Sequence, residues 1–335
     1  MRIAILGAGA IGSLIGGLLV RAGNDVLLVG RGDHVRKIRE RGLVLESPVE
    51  TLRVQVPSAE RLEGAHDLIL LATKMHDLPA AARDVAALGG NAPVVTLQNG
   101  IRADDMAAEV LEPGRIVGCV VQAWATYLEP GKVEYNVGGQ VTIGYPFHEP
   151  DDALSALAAT LSPALPVNIT SNIAGARWTK LILNLINALP AATGVPAQEL
   201  LQLDEMCILT LLMRKEGVAV AAKAGIVFAP IPGASGRFHQ VDLEPSKESA
   251  RSVREKFMAG AGTRPALLST LQSLKRGRPT EIDYLNGEIV RVAQSLGMAA
   301  PYNRLVVELI HRVERTGEFT PPGELWEMAQ GIRIN

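Results

Sequence analysis

A chain of 335 residues is long enough for two domains and a substantial core, and 47% hydrophobic with 20% charged residues is the balance of a soluble globular protein. A net charge of -2, with no dense basic cluster, gives no reason to expect nucleic acid or an anionic membrane surface as partner. Cys119 and Cys207 are too few for a disulfide framework, which points to a reducing compartment, and both fall in apolar stretches as small core residues do.

Arg2-Ile3-Ala4-Ile5-Leu6 has the length and composition of a buried parallel strand. With Arg2 ahead of an apolar stretch it superficially resembles a signal peptide. Glycines interrupt that run, however, and it leads into a second strand without a convincing cleavage site. No clean apolar run of membrane-spanning length follows, and a cytoplasmic location is the expectation.

The strand breaks at Gly7-Ala8-Gly9-Ala10-Ile11-Gly12, a helix rich in Ala, Gly and Leu runs to Val20, and Asp25 to Val29 is a second strand. Gly7 suits a tight turn, Gly9 leaves the backbone open to a pyrophosphate, and Gly12 lets the helix pack closely on the strand. A packing turn alone would also use glycine, but the strand–turn–helix setting is the one a dinucleotide site requires. The second strand ends at Gly30-Arg31 with no carboxylate to meet a ribose 2′-hydroxyl. A guanidinium there suits a 2′-phosphate, favouring NADP over NAD, against the plainer reading of a solvated surface arginine.

Further on, Asp33 to Arg41 reads as a surface helix, and the short runs around Ser47-Pro48 as a hairpin or a small excursion. Asp67 to Ala72 is a buried strand ending at Thr73-Lys74, Leu78 to Leu88 a helix, and Pro93 to Leu97 a strand ending at Gln98-Asn99-Gly100. This alternation predicts a doubly wound parallel sheet, with Arg31, Lys74, Gln98 and Asn99 at the carboxyl strand ends where such sheets bind ligands. Ile116 to Gln122, Val133 to Asn136 and Val141 to Gly144 are expected to finish the sheet with antiparallel strands. Ala153 to Leu161 is a helix and Pro166 to Ile169 a last short strand.

From Asn172 the patterns are helical: 172–192, 197–202, 204–224, 263–274, 280–296 and 303–316, with an irregular stretch over 226–261 that includes one short helix. The fold class is therefore α/β, an N-terminal Rossmann-like dinucleotide-binding domain over 1–170 followed by an all-α C-terminal domain over 171–335.

Two segments could carry chemistry. Lys180 and Asn184 share a helix face among Leu and Ile residues, which would desolvate an ammonium and lower its pKa toward proton transfer; a snorkelling lysine beside a solvent-facing asparagine explains the spacing equally. In Gly277-Arg278-Pro279-Thr280-Glu281-Ile282-Asp283-Tyr284-Leu285-Asn286-Gly287, Thr280 and Asp283 look like a helix-capping pair, which leaves Glu281 unexplained except as an acid in a first turn. Ser269 alone means little. No nucleophile elbow or metal-ligand spacing appears, and of six scattered histidines only His76 lies near a strand end.

Together the glycine turn with Arg31, the Lys74 strand end, Asn99-Gly100, the Trp178 to Asn184 helix and above all Gly-Arg-Pro-Thr-Glu-Ile-Asp with Asn-Gly resemble the ketopantoate reductase family. That resemblance implies an NADPH-dependent reductase of a 2-oxo acid bound in a cleft between the domains, with Lys180 as general acid. Asn184 and Ser269 would contact substrate, Lys74 and Asn99 would line the nicotinamide side, and Glu281 would help place substrate and cofactor. Gly7, Ala8, Gly9, Ala10, Ile11 and Gly12 would hold the pyrophosphate and Arg31 the 2′-phosphate; a homodimer stays open. Ala188 in place of a frequent asparagine, Asp77 in place of a glutamine, and the segment Gln122 to Tyr127 depart from the family pattern at pocket walls. They keep a second reading in play, a reductase of another 2-oxo acid or ketone. A non-catalytic NADP-binding sensor is a third, disfavoured because it needs no proton donor.

Overall fold

The computed structural model describes residues 1–127, 129–136, 138–234, 236, 244–261 and 267–332. The chain divides into two compact units, one of Met1–Arg177 with Ile231–Gly233, the other of Trp178–Pro230 with Ala234–Asn335.

In the first unit β1 (Arg2–Leu6), α1 (Ala10–Arg21) and β2 (Asp25–Val29) form the opening βαβ. They are followed by α2 (Gly32–Arg41), β3 (Leu43–Glu46), β4 (Thr51–Val54), β5 (Ser58–Ala59), β6 (Leu68–Leu71), α3 (Leu78–Leu88), β7 (Val94–Thr96) and α4 (Ala103–Ala108). The unit closes with β8 (Ile116–Gln122), β9 (Ala125–Thr126), β10 (Lys132–Tyr135), β11 (Gln140–Gly144), α5 (Asp152–Leu161) and β12 (Val167–Ile169). The main sheet has eight strands in the order β12-β11-β8-β7-β6-β1-β2-β5. The strands from β8 to β5 in that order are paired in parallel. Ile3, Ile5, Leu28, Leu68 and Leu70 pack with Leu14, Leu18 and Leu19 of α1, all essentially without solvent contact, the near-continuous burial expected of parallel strands covered on both faces. Because the chain moves to one side of β1 through β2 and β5 and returns on the other at β6, a switch point lies at the carboxyl end of β1.

The antiparallel finish is realised by β11 alone, which pairs with β8 from Gln140↔Gln122 to Gly144↔Gly118. The strand at Val133 joins a second, four-stranded sheet of order β4-β3-β10-β9, where it runs parallel to β3 and buries Val133 beside Leu43 and Leu45. Alternation predicts a strand there but carries nothing about which sheet receives it. No helix among the described residues is long and apolar enough to cross a membrane.

The second unit is helical. α6 (Ile173–Asn184) begins in the first unit and continues into it. α7 (Ala188–Thr193), α8 (Ala197–Leu200), α9 (Asp204–Lys223), α10 (Lys247–Ala261), α11 (Ser269–Lys275), α12 (Asn286–Ser295), α13 (Pro301–Thr316) and α14 (Pro322–Gln330) follow. α9 is central, packing on α10, α12, α13 and α14 and burying Leu209, Met213 and Val220. Its Glu216 carboxylate is half-buried and accepts the N–H groups of Tyr302 (2.8 Å) and Asn303 (2.9 Å) and Asn303 Nδ2 (2.7 Å). An anion thus meets the positive end of α13. Burial raises its pKa while these hydrogen bonds oppose the rise.

Four expectations are corrected here. The single helix over 172–192 is broken by a 3₁₀ turn at Leu185–Asn187. Pro190 has no N–H to return to the Ile186 carbonyl of that turn, and the Leu185 carbonyl accepts from Asn286 Nδ2 at 3.2 Å as well as from the Ala188 N–H. The helix over 280–296 is a 3₁₀ turn at Ile282–Tyr284 followed by α12, because Leu285 leaves the helical region (φ -115°, ψ -101°). Thr280 and Asp283 do not form a capping pair: Thr280 Oγ1 accepts from the Ile282 N–H at 3.3 Å, and Asp283 lies 3.1 Å from His311 Nε2. The short helix expected within 226–261 is the 15-residue α10. Of the helix expected over 263–274, residues 263–266 lie outside the described residues.

Candidate active site

The glycine turn is built by backbone geometry. Gly7 has φ +113°, a region that side-chain-bearing residues avoid, and Gly7 and Ala8 both donate their N–H groups to the Val29 carbonyl, at 2.9 and 3.1 Å. A Cβ on Gly12 would run into the Gly7 carbonyl and meet Ala72 Cβ at 3.0 Å, whereas one on Gly9 would meet nothing within 4 Å. α1 starts at Ala10 with no side-chain cap. The leading N–H groups of α1 therefore have no side-chain cap, and the space over Gly9 is open.

Arg31 is exposed at the start of α2, and the nearest acid in sequence, Asp33, is engaged by Arg36 at 2.8 Å. Three residues on, His34 is 3% exposed and ties the two helices together. Its Nδ1 accepts from the Gly131 N–H at 2.9 Å, so the ring proton sits on Nε2 and is donated to Ser13 Oγ on α1, also at 2.9 Å. The sequence reading missed this pin, since nothing local links His34 to Gly131.

Lys74 and Asn99, both half-buried, follow the carboxyl ends of β6 and β7. With the glycine turn at β1 and Arg31 at β2, four neighbouring strands carry the first unit's candidates along one sheet edge. Beneath the Asn99 end lies a buried ion pair. Arg177, 2% exposed, grips Asp104 through Nε (2.7 Å) and Nη2 (2.6 Å) and donates to the carbonyls of Thr96 (3.1 Å) and Gln98 (3.0 Å). Thr96 Oγ1 completes the group with a 2.5 Å bond to Asp104. No local pattern announces a pair formed across 73 residues.

In the second unit Lys180 is partly buried on α6, and burial alone lowers its ammonium from 10.5 to about 8. Asn184, 9% exposed, is one turn further on the same face. Glu281 is 5% exposed, immediately before the 3₁₀ turn, and does not point into solvent. Five residues later Asn286 bonds the Leu185 carbonyl, which brings the Glu281 segment to the end of α6. Ser269 opens α11, and α11 packs on the turn that follows Asn184. The three segments carrying Asn184, Glu281 and Ser269 thus converge within this unit.

A doubly wound sheet with an uncapped glycine turn, continued by helices that carry a desolvated lysine, is the arrangement of the dinucleotide-dependent reductases. The chain belongs to the ketopantoate reductase family: the family model "Ketopantoate reductase PanE/ApbA" matches residues 3–146 and its C-terminal counterpart residues 172–314. A 2-dehydropantoate 2-reductase of Pyrococcus horikoshii is 33% identical over 95% of this chain and 99% of its own. One of Halobacterium salinarum is 29% identical over 95% and 100%. Among solved structures, a PanE/ApbA family ketopantoate reductase from Ralstonia eutropha superposes with TM-score 0.78 at 31% identity, covering 94% of this chain and 99% of that one. A D-mandelate dehydrogenase bound to NADH and anilino(oxo)acetate superposes with TM-score 0.82 at 28% identity and the same coverage.

Proposed function

We propose that this protein reduces 2-dehydropantoate to pantoate with NADPH, residues 1–170 binding the cofactor and 171–335 carrying the substrate and the proton donor. The observation that carries the reading is Lys180, an ammonium lowered by burial to about 8 one helical turn from a buried asparagine. At neutral pH such a group is mostly protonated yet readily gives its proton up.

The bound nicotinamide supplies a hydride to the ketone carbon. The turn Gly7, Ala8, Gly9, Ala10, Ile11 and Gly12 would hold the pyrophosphate, with Gly7 and Ala8 shaping it through their bonds to the Val29 carbonyl and the uncapped N–H groups at the start of α1 as donors, and Arg31 would hold the 2′-phosphate through a charge-assisted contact. Lys74 and Asn99 orient the nicotinamide side. Asn99, Asn184 and Ser269 bind the substrate's oxygens as neutral donors, and Glu281 places substrate and cofactor. Lys180 Nζ donates a proton to the developing alkoxide oxygen and ends neutral.

A second reading, reduction of a bulkier 2-oxo acid, is favoured by the likeness to the D-mandelate dehydrogenase and by the departures at Ala188 and Gln122 to Tyr127. Loss of NADPH absorbance with 2-dehydropantoate, phenylglyoxylate and other 2-oxo acids separates the two. The highest kcat/KM falls on 2-dehydropantoate if the first reading holds; a preference for phenylglyoxylate establishes the second. Equal affinity for NADH and NADPH removes the role of Arg31.

A further inference from the structure

The carboxyl ends of β6 and β7 are joined by a side chain that the proposed chemistry does not use. Gln98, 5% exposed, donates from Nε2 to the carbonyls of Leu71 at 3.0 Å and Thr73 at 3.2 Å. Its Oε1 is buried with no hydrogen-bond partner among the described residues. A desolvated acceptor left unpaired is unfavourable, and an apolar side chain would pack here without that cost. Nor does the sheet need the amide to complete its ladder, because the Leu71 carbonyl already accepts from the Leu97 N–H at 2.9 Å. What an apolar residue cannot do is bond the Thr73 carbonyl. That bond ties the residue before Lys74 to the residue before Asn99. From the other side Arg177 holds the Gln98 carbonyl at 3.0 Å, and Arg177 is itself fixed by Asp104.

We infer that Gln98, backed by Arg177, is a positioning residue for the reduction: it sets the spacing of Lys74 and Asn99 along the sheet edge and so the seat of the cofactor's nicotinamide half. The inference rests on the roles given above to Lys74 and Asn99. Arg31, which faces the other half of the dinucleotide, stands at the end of β2, two strands from β6; the glycine turn packs on Ala72 and Thr73, but both hydrogen bonds of this amide go to the Leu71 and Thr73 carbonyls.

The test is equilibrium binding to the full-length Gln98→Met variant, followed by fluorescence, with two probes: NADPH, and adenosine 2′,5′-bisphosphate, which lacks the nicotinamide half. The amide's loss is expected to weaken NADPH by about tenfold and to lower kcat/KM by on the order of 10- to 100-fold. The bisphosphate affinity stays within about twofold and the melting temperature is nearly unchanged, since a buried unpaired acceptor leaves with the lost bonds. Gln98→Asn, which keeps an amide one methylene short, is expected to show the same selective loss and serves if the Met variant does not fold. Unchanged NADPH affinity and turnover would overturn the inference, as would a parallel loss of both probes with a fall in melting temperature, the mark of a merely structural side chain. An unmodified protein that binds neither probe defeats the functional reading itself, an outcome distinct from any failure seen only in the variants.

Discussion

At the scale of single residues, the proton-donor role proposed for Lys180 and its effect on stability share one physical cause. Burial lowers its pKa from 10.5 to about 8, so the folded state binds fewer protons than the unfolded chain between those two values. Stability therefore rises with pH across that window, and below it the buried ammonium is a standing cost. Lys180→Met is expected to raise stability at neutral pH by about 1–3 kcal/mol, a gain that shrinks toward pH 10.5, while kcat falls about 100-fold or more. Denaturant titrations at pH 7 and 10 beside steady-state kinetics check both, and unchanged turnover would return Lys180 to a snorkelling lysine. In the unmodified enzyme kcat should decline as pH rises through about 8, where the donor is lost.

Glu281 and Asp283 make a second contrast. Burial of Glu281 puts its carboxylate inside the unit, whereas Asp283 sits in an exposed pair with His311. Glu281→Gln should impair turnover with little change in melting temperature. Asp283→Ala should alter stability by less than about 1 kcal/mol, as befits a surface pair, and leave turnover alone. Thermal melts and kinetics on the two variants decide this. A large stability loss at Asp283 would reinstate the cap that the geometry removes.

At the scale of elements, the break after Asn184 is the instructive feature. α6 ends there, a 3₁₀ turn follows, and the break is held from outside by Asn286 Nδ2, which reaches the Leu185 carbonyl at 3.2 Å and Asn303 Oδ1 at 3.0 Å. Asn303 in turn donates to the Met213 carbonyl on α9 at 3.0 Å. One buried amide thus ties the turn after α6 to α12 and α13. Asn286→Ala should cost about 1–3 kcal/mol through the polar groups it strands, and should lower kcat through the displaced Asn184. Denaturation and kinetics measured together test this; a stability loss with full activity would mean that Asn184 holds its place without the amide.

At the scale of the molecule, ligand binding and folding are linked. A cofactor that binds only the folded state stabilises it by about 2.7 kcal/mol at a hundred times its Kd. Melting in equal concentrations of NADPH and NADH should therefore shift more with NADPH. Arg31→Ala should abolish the difference, costing about 1.5–3 kcal/mol of NADPH affinity through the lost charge-assisted contact. Equal shifts in the unmodified protein would remove the 2′-phosphate role.

The sequence by itself determined the elements whose signals are local. The β1–glycine turn–α1–β2 unit, the strand ends at Lys74 and Asn99, and the helix face shared by Lys180 and Asn184 each follow from periodicity and turn chemistry within about 20 residues. Arg278 to Gly287 stood out in the same way, and its residues pointed to the family. Only the tertiary structure decided that β10 leaves the main sheet, that α6 breaks after Asn184, that α10 is a full helix, and that α14 exists at all. It also decided the pairings of Arg177 with Asp104, His34 with Gly131, and Asn286 with Leu185, formed across 73, 97 and 101 residues. The reason is that a helix or strand signal is carried by the residues that form it. The partner of a buried polar group is instead whichever group the rest of the chain brings within hydrogen-bond reach, and burial makes that partner obligatory without naming it.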